Sequence, residues 1–242
     1  MEIFSRFLAL LFLLTTSPIL LTVSICCLIF QGSPILFKQT KIVKKNKTFN
    51  IFKFRTMMKK TGNAITLKND PRVTKFGAIL RKFKIDEFPQ LYNILLGDMR
   101  FIGPRPEIPK YFDKNSFEYL KVIKPGISDF SSIVLRDEEN ILSNIGGDKP
   151  YEKLLPLKLS LANYYSTRKG FLLDTKLAIT TIISLLFPKL AIKSMVNQEL
   201  LSSIPELDEF LVKNRIIWYF LFLLITKYLS LIHISEPTRQ EA

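Results

Sequence analysis

The hydrophobic pattern of the chain begins with one long apolar segment. Phe7–Phe30 contains 24 residues without a charged side chain, which is enough to cross a bilayer as a helix. Ser17 and Pro18 stand near its middle, where a proline removes a helical hydrogen bond and a neighbouring serine hydroxyl can bond the freed carbonyls. The pattern predicts a membrane helix that is either kinked and spanning or broken and re-entrant. A cleaved signal peptide is disfavoured because the apolar region is too long.

Further patterns predict the elements that follow. Alternating apolar and polar residues over Phe49–Phe54 predict a strand that leads to Arg55. A basic helix is expected over about Lys75–Lys82, and an amphipathic helix over Lys153–Tyr165. Leu172–Phe187 is apolar but too short to span comfortably, so we expect it to lie in the membrane interface with its apolar face down. A helix buried in the soluble part of the protein is the alternative.

Composition supports a membrane protein and indicates that it has an anionic partner. Hydrophobic residues make up 48% of the chain, and the formal net charge is +14. Ten Lys or Arg residues and no Asp or Glu lie between Gln31 and Asn69, which favours the cytoplasmic side by the positive-inside tendency. We expect most of them to attract anionic membrane lipids. Nucleic acid is a poorer candidate, since the aromatic residues between them are limited to Phe49, Phe52 and Phe54.

The stretch Lys84–Glu107 carries the strongest signal for chemistry. Its adjacent carboxylates, Asp86 and Glu87, come just before Pro89, and proline is favoured in the first turn of a helix. Because a helix start favours negative charge, a plain helix cap is one interpretation of the pair.

Basic residues around this pair favour a phosphate site instead. Arg81, Lys82 and Lys84 lie within a few residues of the pair, and Arg105 stands between two prolines. The cations would keep the carboxylates ionised, and a guanidinium on a stiff turn suits bidentate recognition of phosphate. The stretch therefore indicates phosphate chemistry.

Seven motifs in order along the chain resemble those of the bacterial sugar transferase family, the monotopic polyprenyl-phosphate phosphoglycosyl transferases. The resemblance runs from about Phe4 to about Phe187. No single motif is decisive, but seven in the family's order are highly specific. The motifs are Ser17-Pro18, Lys53-Phe54-Arg55-Thr56-Met57, Asp70-Pro71-Arg72, Asp86-Glu87-Phe88-Pro89-Gln90-Leu91, Gly97-Asp98-Met99, Gly103-Pro104-Arg105-Pro106-Glu107 and Lys124-Pro125-Gly126-Ile127.

The resemblance implies a fold and a location. It implies an α-rich α+β head on an N-terminal re-entrant helix-break-helix, with Ser17 and Pro18 at the break, and interfacial amphipathic helices. Such a monotopic protein enters and leaves the membrane on one face. The expected location is the cytoplasmic face of the bacterial inner membrane.

The resemblance also implies roles for individual residues. Asp86 takes the role of nucleophile and Glu87 that of Mg²⁺ ligand, a division that suits neighbours projecting about 100° apart on a helix. Arg81 is expected to bind phosphate and Arg105 to bind the nucleotide side of the donor. Arg55 is a further candidate for phosphate or nucleotide binding, with bracing of the fold as the alternative.

The implied reaction transfers a phosphosugar from a UDP-sugar to polyprenyl (undecaprenyl) phosphate. UMP leaves, an aspartyl-phosphosugar forms and is resolved, and the product is a polyprenyl diphosphate sugar. This is the first membrane step in assembling a surface glycan, such as O-antigen, capsule or the glycan of a glycoprotein. The competing hypotheses are a non-enzymatic basic membrane adaptor, which would use residues 38–60, and a scaffold.

One loop departs from the family pattern. After Ile127 the chain reads Ser128-Asp129-Phe130-Ser131-Ser132 in place of a Thr-Gly-Leu-Ala-Gln type of continuation. This loop is a candidate for sugar selection.

The domain organisation follows from these segments. We expect a re-entrant membrane helix over residues 1–37, a catalytic head over 38–200, and a linker over 201–228 that includes the start of a membrane domain. A fused module that modifies nucleotide sugars is one interpretation of that start, which contains Trp218. Residues 229–242 resemble the translation of a sequencing adapter, which would make His233 an artefact. The sequence indicates no oligomeric state.

Overall fold

The computed structural model describes residues 2–43, 47–58, 65–113, 117–121 and 123–213. The chain divides into two compact units, one ending at Met195 and the other beginning at Val196. Among the described residues the first unit is rich in helix and contains four short strands. Its helices are α1 (Glu2–Gln31), α2 (Lys75–Lys82), α3 (Gln90–Leu96), α4 (Phe130–Val134), α5 (Glu138–Ile145), α6 (Pro150–Arg168), α7 (Phe171–Leu186) and α8 (Pro188–Met195). Its strands are β1 (Leu36–Val43), β2 (Lys47–Phe54), β3 (Arg100–Ile102) and β4 (Gly126–Ser128).

Helix α1 is continuous through Ser17 and Pro18. Side-chain hydroxyls bond carbonyls of the preceding turn on the approach to the proline: Thr16 Oγ1 donates to Phe12 O at 2.6 Å and Ser17 Oγ to Leu14 O at 2.7 Å. By length and composition the helix could cross a membrane. The structure therefore shows continuous helix where the family resemblance implies a break, and the re-entrant course stays a prediction.

Both halves of α1 pack against the rest of the first unit. Ala9, in the N-terminal half, lies in a buried cluster with Ile51 and Ile94. Cys27, near the C-terminal end, lies in a second cluster with Leu80. The remaining apolar side chains of α1 are mostly exposed, so the helix presents one face to the head and a wide apolar face outward.

A β-hairpin supports the functional residues. Strands β1 and β2 pair antiparallel, from Leu36 opposite Phe54 to Val43 opposite Lys47, which confirms the predicted strand. Asn93 of α3 holds the free edge of β2: its Nδ2 donates to Asn50 O at 2.8 Å and its Oδ1 accepts from Phe52 N at 3.2 Å. The second sheet is a short parallel pair, β3 with β4.

The helices after β4 build the second half of the first unit. Tyr165 of α6 is fully buried, and its hydroxyl donates to Asp174 Oδ1 at 2.6 Å. Helix α7 buries Leu177 and Ser184 but leaves an apolar stripe exposed. This exposure argues against the alternative prediction, a helix buried in the soluble part of the protein. The stripe consists of Phe171, Leu172, Ile179, Ile182 and Leu186.

The second unit is described from Val196 to Lys213. It holds two short helices, α9 (Gln198–Ser203) and α10 (Pro205–Lys213), where the sequence indicates an acidic linker. Asn197 caps α9, since its Oδ1 accepts from Leu200 N at 2.8 Å. Residues 214–242, with the predicted membrane segment and the adapter-like segment, lie outside the described residues.

Candidate active site

The carboxylate pair lies in a tight turn between α2 and α3. Residues Ile85–Glu87 form one 3₁₀ turn, entered through Lys84 in the left-handed conformation at φ +58°. A non-glycine residue there costs about 1 kcal/mol, so the surroundings must hold it. The pair thus precedes the helix start at Pro89 as a separate turn, and both residues are 7% exposed.

Glu87 is the strongly paired member of the two. Its Oε1 accepts from Lys53 Nζ at 2.8 Å and from Arg105 Nη2 at 2.5 Å, and its Oε2 accepts from Arg105 Nη1 at 3.4 Å. Burial alone would raise the pKa of Glu87, but Arg105, Lys53 and Lys84 hold it well below its usual range. Glu87 is therefore ionised.

Asp86 is the poorly paired member. Its Oδ1 is buried and has no hydrogen-bond partner among the residues that the structure describes. Burial, followed by the neighbouring charge of Glu87, raises the pKa of Asp86. An unsatisfied buried carboxylate oxygen is unfavourable, and Asp86 Oδ1 therefore has an unused capacity to accept a bond.

Arg81 approaches the pair from the last turn of α2. Its Nε donates to Thr56 Oγ1 at 2.9 Å, and its Nη1 donates to Glu139 of α5. Its charge acts on Asp86, lowering the pKa of that carboxyl against the effect of burial. The guanidinium is thus fixed at two nitrogens beside the pair.

Arg105 is positioned by the turn that carries it. Its backbone N–H donates to Asp129 Oδ2 at 3.2 Å, and Asp129 also accepts from Ser132 N at 2.8 Å as the cap of α4. Two residues further on, Glu107 accepts from the Tyr151 hydroxyl through its carboxylate and from Ile42 N at 2.9 Å through its carbonyl. The loop predicted to select the sugar therefore contributes Asp129 to holding Arg105.

Arg55 lies elsewhere. Its guanidinium donates to the carbonyls of Gln31, Gly32 (2.5 Å) and Ser33 (3.4 Å) at the C-terminal end of α1. Among the residues predicted for the site, the structure gathers Asp86, Glu87, Arg81 and Arg105 at one place. It places Arg55 at the end of α1, and Ser17 and Pro18 within that helix.

Sequence reasoning did not name Lys53 or Lys41 as site residues. Lys53 bonds Glu87 directly. Burial brings the pKa of Lys41 to about 7, and the opposite charge that acts on it is that of Glu107. Burial also lowers the pKa of Lys84, which the sequence already placed near the pair. Lys41 and Lys53 face inward on the hairpin with Phe49 and Ile51, because alternate strand residues share a face. A lysine on the apolar face of an alternating strand is the signal that could have revealed them.

The carboxylates fit a metal shared with a phosphorylated ligand. The described residues contain no group of three or more His, Cys, Asp or Glu side chains able to hold a metal ion. Mg²⁺ usually takes one or two carboxylates together with substrate phosphates and water. Asp86 Oδ1 has no hydrogen-bond partner among those residues, and Glu87 Oε2 accepts a contact of 3.4 Å, so both oxygens could serve.

Fold and site together define a class of protein. It is an α-rich protein with a long apolar N-terminal helix and a buried carboxylate pair surrounded by cations, an arrangement suited to phosphate chemistry. The chain belongs to the bacterial sugar transferase family, whose model matches residues 1–188.

Named relatives are similar over most of the same region. A UDP-N-acetylgalactosamine-undecaprenyl-phosphate N-acetylgalactosaminephosphotransferase from Aeromonas hydrophila is 33% identical over 167 residues, which is 64% of this chain and 40% of the relative. A UDP-glucose:undecaprenyl-phosphate glucose-1-phosphate transferase from Xanthomonas campestris pv. campestris is 27% identical over 195 residues, 77% of this chain and 38% of the relative. An uncharacterized sugar transferase, EpsL, from Bacillus subtilis is 33% identical over 180 residues, 72% of this chain and 81% of the relative. The chain thus spans about two fifths of the first two relatives.

Proposed function

We propose that the chain transfers a sugar 1-phosphate from a UDP-sugar to undecaprenyl phosphate. The products are UMP and an undecaprenyl diphosphate sugar, and the step begins the assembly of a surface glycan. The observation that carries the proposal is Asp86, a buried carboxylate with a free oxygen beside Arg81 and the cations around Glu87. The substrates named for the relatives support the choice of donor and acceptor.

Asp86 is the proposed nucleophile. Its carboxylate oxygen attacks the phosphorus that carries the sugar, and the bond from that phosphorus to the bridging oxygen breaks, so that UMP leaves with the electron pair. A phosphate oxygen of undecaprenyl phosphate then attacks the same phosphorus and releases the Asp86 carboxylate. Splitting one transfer into two displacements is the usual benefit of a covalent intermediate.

The cations around the pair neutralise the anionic reactants. Arg81 binds phosphate oxygens near Asp86, and Arg105 binds the nucleotide side of the donor while Glu87 and Asp129 orient it. Lys53 and Lys84 add positive charge at the same place. Glu87 would hold Mg²⁺, which supplies charge neutralisation at the diphosphate when bound.

We further propose that α1 enters and leaves the membrane at the cytoplasmic face. Ala9 and Cys27 both pack against the head, and eighteen residues of helix separate them by about 27 Å. The hydrocarbon core is about 30 Å thick, so an upright spanning helix would draw the head into the bilayer. The exposed stripe of α7 and the basic residues from Lys38 onward support contact with an anionic membrane surface.

The test of the reaction is UMP release by the full chain in membranes. The assay contains Mg²⁺, undecaprenyl phosphate and a panel of UDP-sugars, and it compares the wild type with Asp86→Asn and with Asp148→Asn. The control makes the same chemical change at an exposed carboxylate. We expect one donor to support release, Asp86→Asn to abolish it and Asp148→Asn to retain it.

Other outcomes would contradict the proposal at different points. Full activity of a folded Asp86→Asn variant would remove Asp86 as nucleophile. Failure of every donor, with salt-sensitive binding to anionic vesicles retained, would favour the adaptor hypothesis.

A further inference from the structure

Arg55 ties the end of α1 to the segment that follows β2. The last carbonyls of a helix lack partners within the helix. The Arg55 guanidinium donates to the carbonyl of Gln31, the last residue of α1, and to those of Gly32 and Ser33, which follow it. The Arg55 backbone N–H also donates to Ile35 O at 2.8 Å. The side chain is buried at 8% exposure, so this contact fixes where α1 ends relative to β2.

The next residue, Thr56, ties the same segment to α2. Its carbonyl accepts from Thr74 N at 3.1 Å, and its hydroxyl Oγ1 accepts from Arg81 Nε at 2.9 Å. The backbone of α2 packs closely against Thr56, because a Cβ added at Gly77 would lie only 2.1 Å from Thr56 O. Thr74 Oγ1, the cap of α2, donates in turn to Gln31 Oε1 at 3.1 Å.

These contacts restrain Arg81 and leave part of its guanidinium free. Nε is held by Thr56 and Nη1 by Glu139, while Nη2 has no hydrogen-bond partner among the described residues. An arginine restrained in this way loses less side-chain entropy when it grips a phosphate.

We propose that Thr56 is a positioning residue for Arg81, and that Arg55 and Thr56 together couple the seating of the membrane helix to the phosphate-binding site. Thr56 touches neither substrate; it acts through the Nε hydrogen bond. The proposal rests on the phosphate role of Arg81 in the proposed function.

The first test compares Thr56→Val with Thr56→Ser in the full chain. Valine keeps the shape and removes the acceptor oxygen, whereas serine keeps the acceptor. Loss of one hydrogen bond to a charged group corresponds to about a tenfold loss of affinity. We expect Thr56→Val to weaken binding of inorganic pyrophosphate, and to raise KM for the donor more than it lowers kcat, by about that factor. Thr56→Ser should stay close to wild type.

The second test is a double-mutant cycle with Arg81→Lys. Lysine has no Nε–H, so Thr56→Val should have no further effect on pyrophosphate affinity in that background. A purely structural role of Thr56 would give additive effects and equal losses for the valine and serine variants. Thermal unfolding of each variant identifies those that fail to fold.

The outcomes separate this inference from the proposed function. If the wild type binds pyrophosphate and Thr56→Val binds it equally well, or if the cycle is additive, the positioning role is refuted and the reaction stands. If the folded wild type binds no pyrophosphate and releases no UMP, the phosphate role of Arg81 fails and this inference fails with it.

Discussion

At the scale of single residues, the site combines two neighbouring carboxylates with opposite electrostatics. Burial raises the pKa of Asp86, whereas Arg105, Lys53 and Lys84 overcome burial and lower that of Glu87. One carboxylate thus opposes folding when ionised and the other supports it. A single turn therefore holds a poorly paired carboxylate beside one that orders its surroundings.

Asp86→Asn is expected to stabilise the fold while removing activity. A carboxyl whose pKa is raised on folding favours the native state at low pH, and that contribution is lost as pH rises from its ordinary value near 3.8 through the folded pKa. At neutral pH this carboxyl therefore makes the protein less stable than it is in acid, and removing it should gain about 1 kcal/mol. Thermal unfolding at pH 7 and in acid measures this, with Asp148→Asn as control. A lower midpoint than wild type at pH 7 would contradict it.

Glu87→Gln is expected to destabilise the fold. Breaking a buried ion pair leaves Arg105 and Lys53 uncompensated, at a loss of about 3 kcal/mol. Because the pKa of Glu87 is lowered, the stabilisation is present above the ordinary value of 4.5 and disappears as pH falls through the folded pKa. Chemical denaturation at several pH values should show the gap to wild type narrowing in acid. The exposed Glu152→Gln serves as control, and a gap as small as that of the control would argue against the paired role.

At the scale of elements, the site depends on how the hairpin is fastened to α3. Asn93 is fully buried and bonds the two backbone groups of β2 that face it. Since β2 carries Lys53 and leads to Arg55 and Thr56, its position decides where those side chains lie.

Asn93→Ala should therefore weaken this fastening. Two buried backbone groups lose their partners, and each unsatisfied group costs about 1–3 kcal/mol. Hydrogen exchange at the Phe52 amide should accelerate, and the unfolding midpoint should fall. Asn93→Asp keeps the acceptor for Phe52 and should protect that amide better than alanine does. Equal exchange in wild type and Asn93→Ala would show that the hairpin is held by other contacts.

The elements that sequence patterns predicted well are those with a local cause. Helix α2 has the predicted bounds, and α7 (Phe171–Leu186) matches the apolar stretch to within a residue, because periodicity along the chain determines each. The pattern left open whether α1 is continuous or broken at Ser17 and Pro18. Hydroxyls at Thr16 and Ser17 bond the preceding turn, and the motif alone does not show whether such bonds form.

Partners distant in sequence could not be read from the chain. Lys53 meets Glu87 across 34 residues, and Arg81 meets Glu139 across 58, so both contacts depend on how elements pack. Arg55 illustrates the same limit. An arginine at the end of a strand has the same local sequence pattern whether it binds phosphate or contacts the end of a helix, so the sequence could not distinguish the two roles. The residue types indicated the chemistry, while tertiary packing decided which cation serves which carboxylate.

At the scale of the first unit as a whole, two apolar surfaces are candidates for contact with the membrane. They are the outer face of α1 and the exposed stripe of α7. A spin label at Ile182 should contact lipid, so that oxygen relaxes it more than a water-soluble reagent does. A label at the exposed Asp148 should show the opposite preference. Both cysteines are introduced after Cys26 and Cys27 are replaced by alanine. Similar behaviour of the two labels in membranes would remove α7 from the interface.

The course of α1 determines which side of the membrane each of its ends faces. Because Ala9 and Cys27 contact the same head, we expect the N-terminus and the exposed Thr40 on β1 to share one face of the bilayer. A cysteine placed ahead of Met1, and separately Thr40→Cys, are treated in intact cells with a maleimide that cannot cross the inner membrane. Both should react only after the membrane is opened, and a periplasmic control cysteine on a known protein confirms access. Labelling of the N-terminal cysteine alone in intact cells would mean that α1 spans the membrane, and the packing of its two halves on one head would then need a different explanation.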